Sequence, residues 1–154
     1  SKKALIMASS LSHMGLVSQQ LLREQDSIYH NTAVRFGLSD TAMRVLYLVS
    51  ETDEVLTQQD LCRQNFSAKQ TIHTVVQELE QAGYLEKVSV SGRKEKPLRL
   101  TESGKRYTAD KLGGLYRAEE RAAAAMGAEQ FAAMVEMTRK FTDSFEKEIR
   151  NGAE

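Results

Sequence analysis

Apolar residues in the first part of the chain recur at helical spacing. Met7, Met14, Leu21 and Ile28 stand seven apart, with Leu11 and Val17 beside them, and Leu22, Tyr29 and Phe36 form a second row of the same spacing. The pattern predicts one long helix over about residues 5–35, which contain no proline and only Gly15. Two apolar rows are more surface than one neighbour covers, so this helix is expected to pack against its own domain and against another chain. Gly37 breaks it. Ser39 is an N-cap for a helix from about Asp40 to Ser50, with Leu46 and Val49 facing inward, and the polar, acidic stretch Glu51 to Val55 reads as a loop.

Further along, the pattern shortens. Thr57 opens a brief helix, and a second helix from about Ser67 to Gln81 alternates polar residues with Ile72, Val75, Val76 and Leu79 on the opposite face. A two-stranded hairpin with a basic tip follows, in which Pro97 suits an edge strand because it has no amide hydrogen to donate. Thr101 and Glu102 then start a helix towards Met126: the threonine oxygen can accept free amides and the carboxylate complements the helix dipole. Leu112, Leu115 and the run Ala122 to Ala125 are available for packing, and Gly113 and Gly114 mark a place where the helix can bend. Gly127 ends it. A last helix, about Ala128 to Arg150, carries Phe131, Met134, Val135, Thr138, Phe141, Phe145 and Ile149 near one stripe. The expected fold is mainly α with a small β-hairpin wing (α+β): a winged helix-turn-helix over 38–100, and a helical dimerisation lobe from 1–37 and 101–150.

Helix, turn, helix and basic wing in that order point to binding of duplex DNA. The formal net charge of the 154 residues is zero, which is not the global signature of a nucleic-acid binder. The distribution is what matters. From 87 to 106 the bases are Lys87, Arg93, Lys94, Lys96, Arg99, Lys105 and Arg106, and the acids only Glu95 and Glu102. Positive charge is thus gathered on the hairpin and its exit, where phosphate contacts are needed. At 41% hydrophobic residues the composition supports a core. No apolar run is long enough to span a membrane, there is no signal-peptide pattern, and the one cysteine suits a reducing cytoplasm rather than a disulfide framework. No phosphate-binding glycine loop, nucleophile elbow, metal cluster or Cys–His arrangement is present, so no catalytic residue, metal ligand or cofactor is expected.

The segment TQQDLCRQNFSAKQTIHTVVQELEQAGYLEK, the basic hairpin and the following LRLTESGK resemble the MarR family of bacterial transcription regulators. Leu100, Thr101 and Gly104 carry a specific part of that match. The long first helix, LSDTAMRVLYLV and the two C-terminal helices broken at MGAEQF extend it over most of the chain. The resemblance implies a homodimer on pseudo-palindromic operator DNA, usually a repressor released by a small ligand or by oxidation. It implies DNA contacts from Thr57 and Gln58 at the start of the unit and from Ser67, Lys69, Gln70, Thr71, His73, Thr74 and Gln77 on the second helix. Gln70 suits adenine, and Lys69 guanine or phosphate. Where many members have Arg, Thr74 stands here. In the wing, Gly92 replaces the usual acid, so that acid's bracing role is expected to be lost, while Arg93 and Lys94 keep the basic pair. Arg93 is the candidate for minor-groove insertion and Lys96 for a phosphate.

A pocket for an unidentified effector would draw on His13, Arg44 and Tyr47. His13, His30 and His73 show no metal-ligand spacing. Cys62 is read either as a small core residue or as a redox switch, and cysteine-sensing members carry theirs nearer the first helix. Two readings stay open beside a ligand-relieved repressor: a cysteine-sensing regulator, and a winged-helix protein-interaction module that no longer reads DNA.

Overall fold

In the computed structural model, residues 10–52, 55–65 and 67–152 are described. Their elements are α1 (Leu11–Arg35), α2 (Asp40–Glu51), α3 (Gln58–Asn65), α4 (Lys69–Gln81), β1 (Leu85–Lys87), β2 (Leu98–Leu100), α5 (Glu102–Met126) and α6 (Ala128–Gly152). The chain divides into two compact units, Ser1–Leu112 and Gly113–Glu154, with the boundary inside α5. The expected order of helices and hairpin is present. The expected start of the first helix, with Met7 in its stripe, lies outside the described residues. Helix α5 runs unbroken through Gly113 and Gly114.

In the first unit, side-chain caps mark the starts of α1, α2 and α3, whereas α4, expected from about Ser67, starts at Lys69 without one. Ser10 and Ser39 accept from the amides of His13 and Ala42. Helix α3 opens on a reciprocal cap: the Thr57 amide donates to Asp60 Oδ2 at 2.9 Å, and the Asp60 amide donates to Thr57 Oγ1 at 3.1 Å. This is the capping-box arrangement with aspartate in the acidic position. The Thr57 amide bond holds the Asp60 carboxyl below its ordinary value against the opposing effect of partial burial, with help from the Thr57 hydroxyl and Arg63.

The core gathers Met43, Val45 and Leu46 of α2, Leu61 of α3, Ile72, Val75, Val76 and Leu79 of α4, and Leu85, Leu98 and Leu100 of the hairpin, all buried. Burial of each large apolar side chain contributes about 1.5–3 kcal/mol. The strands pair antiparallel, Leu85 opposite Leu100 and Lys87 opposite Leu98. Leu56 adds an antiparallel bridge to Leu98, whose amide donates to the Leu56 carbonyl at 2.8 Å. This bridge ties the segment before α3 to the wing. Pro97 is buried beside it and uses only its carbonyl, which accepts from Val88.

The exit of the wing explains the Leu-Thr-x-x-Gly pattern. The Thr101 hydroxyl donates to the Gly83 carbonyl at 2.6 Å and accepts from the Gly104 amide at 2.9 Å. The first turn of α5 therefore lies against the end of α4, so close that a Cβ on Gly104 would overlap the Tyr84 carbonyl. Tyr84 and Tyr107 stack beside it with centroids 4.0 Å apart.

In the second unit, the end of α5 and all of α6 are joined at Gly127. No residue of α6 is buried, and Phe131, Met134, Val135, Met137, Phe141, Phe145 and Ile149 are exposed along it. In the first unit α1 likewise buries only Ala33 and exposes Leu11, Leu16, Leu21, Leu22, Ile28 and Val34.

Two stability outcomes follow. Gly104→Ala should destabilise the fold by about 1–3 kcal/mol in urea unfolding, because the added methyl meets backbone that cannot rotate away; an unshifted midpoint would disprove that approach. Asp60→Ala should cost about 1 kcal/mol near neutrality through the lost cap. Since the folded-state pKa of Asp60 is depressed, its contribution is present above the ordinary aspartate range and lost as pH falls below it. The stability gap between wild type and variant should close in acid, and a gap constant with pH would contradict the assignment.

Candidate nucleic-acid interface

One-sided burial of α4 sets the polar surface. With Ile72, Val75, Val76 and Leu79 in the core, Lys69, Gln70, Thr71, His73, Thr74 and Gln77 are all exposed. The first turn of α4 holds no acid, and its N-cap residue, Ala68, provides no side-chain acceptor. An uncapped helix start with a lysine on it favours an anion. The acids Glu78 and Glu80 lie in the last turns, where Glu80 faces Lys87 at 3.8 Å. Thr74 donates to the Gln70 carbonyl at 3.0 Å, and His73 Nδ1 lies 3.3 Å from Gln58 Nε2. That contact joins the first residue of α3 to the middle of α4.

The wing turns sharply at Gly92, whose φ of 81° is the left-handed value required at the third position of a turn closed by Arg93 N to Val90 O. The strand cations are committed: Arg99 pairs with Glu86 at 2.6 Å and Lys87 with Glu80. Among the described residues, no ion pair involves Arg93, Lys94 or Lys96, and all three are exposed. The charge able to meet phosphate is therefore concentrated at the tip.

Glu95 is the residue that sequence reasoning missed. By sequence alone it is only one of two acids in a basic stretch. In the fold its Oε1 accepts from the Gln59 amide at 3.2 Å, at the free N-terminal end of α3. A wing brace therefore exists here, supplied from the far side of the basic pair, although Gly92 holds the usual acidic position. Gln58, Gln59, Cys62, Lys69 and Glu95 line one furrow, and Arg93 and Lys94 border another beside the start of α3. The structure thus brings Gln58, Lys69, His73 and the wing tip to neighbouring surface.

Two other candidates are more committed to the protein itself. Thr57 is 8% exposed with its hydroxyl in the α3 cap. Ser67 is half-buried and donates to the Asn65 carbonyl at 3.3 Å. Cys62 is half-buried on the furrow wall.

A separate cleft of about 280 Å³ opens among α1, α2 and α3, with Arg44 and Tyr47 in its lining beside Tyr29, Met43, Leu48 and Asn65. Arg44 stands 3.8 Å from Asp26, both exposed. His13 is exposed on α1 and is not part of the lining. Among the described residues, no group of three His, Cys, Asp or Glu side chains is placed to hold a metal, and no helix is long and apolar enough to cross a membrane.

Residues 36–94, from the end of α1 to the wing tip, match the sequence model of the MarR family. The fold of the chain is similar to that of NMB1585, a MarR family regulator from Neisseria meningitidis, with a TM-score of 0.75 at 20% identity over 94% of this chain and 99% of that one. It is also similar to S. aureus MepR in its DNA-binding conformation (TM-score 0.70, 17% identity, 86% and 98% of the two chains). A third similar structure is NadR in complex with 4-hydroxyphenylacetate (TM-score 0.70, 17% identity, 87% and 94%). No curated protein sequence matches the chain. The family match over 36–94, together with the winged helix seen here, supports a DNA-binding transcription regulator.

The brace makes an unusual prediction. Removing an acid beside DNA should by Coulomb's law tighten binding, yet Glu95→Ala should weaken binding of duplex DNA in a fluorescence titration, because the wing loses its anchor. Tighter binding by the variant would mean that Glu95 acts only as a charge.

Proposed function

We propose that this regulator works as a homodimer that reads a pseudo-palindromic operator, represses, and is released by a small organic ligand. The observation that carries the reading is the single polar face of α4 beside the exposed cations of the wing tip. In this reading Lys69, Gln70, Thr71, His73, Thr74 and Gln77 meet the major groove, with Gln70 on adenine and Lys69 on guanine or phosphate. Gln58 supports His73, and Thr57 and Ser67 hold the frame. Arg93 enters the minor groove, while Lys94 and Lys96 contact phosphates.

Dimerisation is supported by the apolar side chains left exposed along α1 and α6, since monomeric soluble proteins rarely expose so many large apolar residues along one element. We assign 1–37 and 101–150 to that lobe and 38–100 to DNA reading. A two-fold pair would set two reading helices roughly 34 Å apart, one turn of DNA. The cleft lined by Arg44 and Tyr47 is the proposed effector site: at about 280 Å³ it lies near the lower end of small-molecule sites, and the similarly folded NadR was solved with 4-hydroxyphenylacetate. The reading requires no cofactor, metal or catalytic step and places the protein in the cytoplasm.

In-vitro selection from random duplex DNA tests the core of this proposal. An inverted repeat with half-sites about one helical turn apart is expected. Enrichment of a lone asymmetric half-site would overturn the dimeric reading, and no enrichment would overturn sequence-specific reading. In the same format Arg93→Ala should lose about 1–3 kcal/mol of operator affinity and flatten any preference for flanking A·T pairs; unchanged binding would remove the wing from recognition.

A further inference from the structure

One side-chain contact between α3 and α4 fixes the chemistry of the group it holds. Gln58, the first residue of α3, sets its Nε2 3.3 Å from Nδ1 of His73 on α4. Both residues stand on firmly held backbone. Gln58 follows Thr57, whose amide and hydroxyl are engaged with Asp60 in the α3 cap. His73 lies between the buried Ile72 and Val75, on the exposed face of α4. An amide nitrogen only donates, so the Nδ1 that it faces is an acceptor. The hydrogen of the neutral imidazole is then on Nε2, because the bond made by one ring nitrogen sets the state of the other. The ring is exposed and its Nε2 diverges from Gln58, so that hydrogen is open to a molecule lying on this face.

We propose that Gln58 sets the base that His73 reads: by holding the hydrogen on Nε2, it makes His73 a donor to guanine at one base pair of each half-site. This rests on the reading of the exposed face of α4 as the surface that enters the major groove. In that groove guanine presents two acceptors, N7 and O6, and adenine presents N7 beside an N6 donor. Thymine presents a single O4 beside its methyl group, and cytosine only the N4 donor. A fixed donor therefore favours guanine and meets cytosine hydrogen against hydrogen. The turned-over amide would invert this outcome. Its Oε1 would draw the hydrogen to Nδ1 and leave Nε2 an acceptor, suited to cytosine N4 or adenine N6. Gln58 is a positioning residue in this arrangement, and it acts through the His73 ring.

Two measurements on the full-length protein test the proposal. The first is the nitrogen NMR spectrum of protein labelled at histidine, without DNA, with the His73 signals assigned by their loss in His73→Ala. Wild type should carry the hydrogen on Nε2 alone, and Gln58→Ala should give a mixture of both forms. Hydrogen on Nδ1, hydrogen on both nitrogens, or a spectrum unchanged in Gln58→Ala would overturn the role of Gln58. The second is titration of the selected operator with each of the four base pairs placed at each position in turn. Wild type should prefer guanine at one position of each half-site, and His73→Ala should reduce that preference by about tenfold. Gln58→Ala should reduce it by a smaller factor at the same position. A loss spread evenly over all positions, or a preference for cytosine or adenine at the position His73 governs, would overturn the base contact. If wild type enriches no sequence at all, the sequence-reading proposal falls and the base contact with it, whereas the spectrum of the free protein scores the Gln58–His73 contact separately.

Discussion

The constraint on which everything else depends is the one-sided burial of α4. Ile72, Val75, Val76 and Leu79 share a face because 3.6 residues complete a turn, and all four are in the core with Leu46 and Leu61. Rotating the helix to expose other residues would lift those side chains into water, at about 1.5–3 kcal/mol each. The polar face is therefore presented by the core rather than by contacts of its own. This is an economical way to hold a polar surface: its exposed side chains need make few internal bonds, and mostly do not.

The wing is held by different means. Its strands are three residues each, too short for stability by themselves, and its position comes from contacts at both ends. At the base, Leu56 bridges Leu98, and Leu85 and Leu100 are buried. At the exit, Thr101 and Gly104 lock the first turn of α5 against Gly83 and Tyr84. Near the tip, Glu95 reaches the start of α3. The last is a single exposed, polar contact without the buried apolar packing found at the base, so solvent can break it more easily than the base. The tip cations thus sit on a stem that is firm at its base and adjustable near its end.

Much of this architecture is legible in residue order. Serine and threonine before apolar-periodic runs mark helix starts because their oxygens take up free amides, and Ser39, Thr57 and Thr101 do so. The exposed set on α4 was readable from period alone. Glu95 was not, because its contact depends on a partner distant in sequence: it accepts from an amide thirty-six positions earlier. His13 illustrates the opposite error of reach, since membership of the first helix does not bring a side chain to the cleft, which takes its α1 lining from Asp26 and Tyr29.

By itself the sequence determined the succession of helices and hairpin, the inward and outward faces of α4, and the basic character of the wing, because these follow from local spacing and local charge. Tertiary structure decided which charges remain available. Lys87 and Arg99 look equivalent to Arg93 and Lys96 in composition, yet the first two are matched by Glu80 and Glu86. Pairing and burial are properties of position in space, and residues far apart along the chain acquire them only when the fold brings them together.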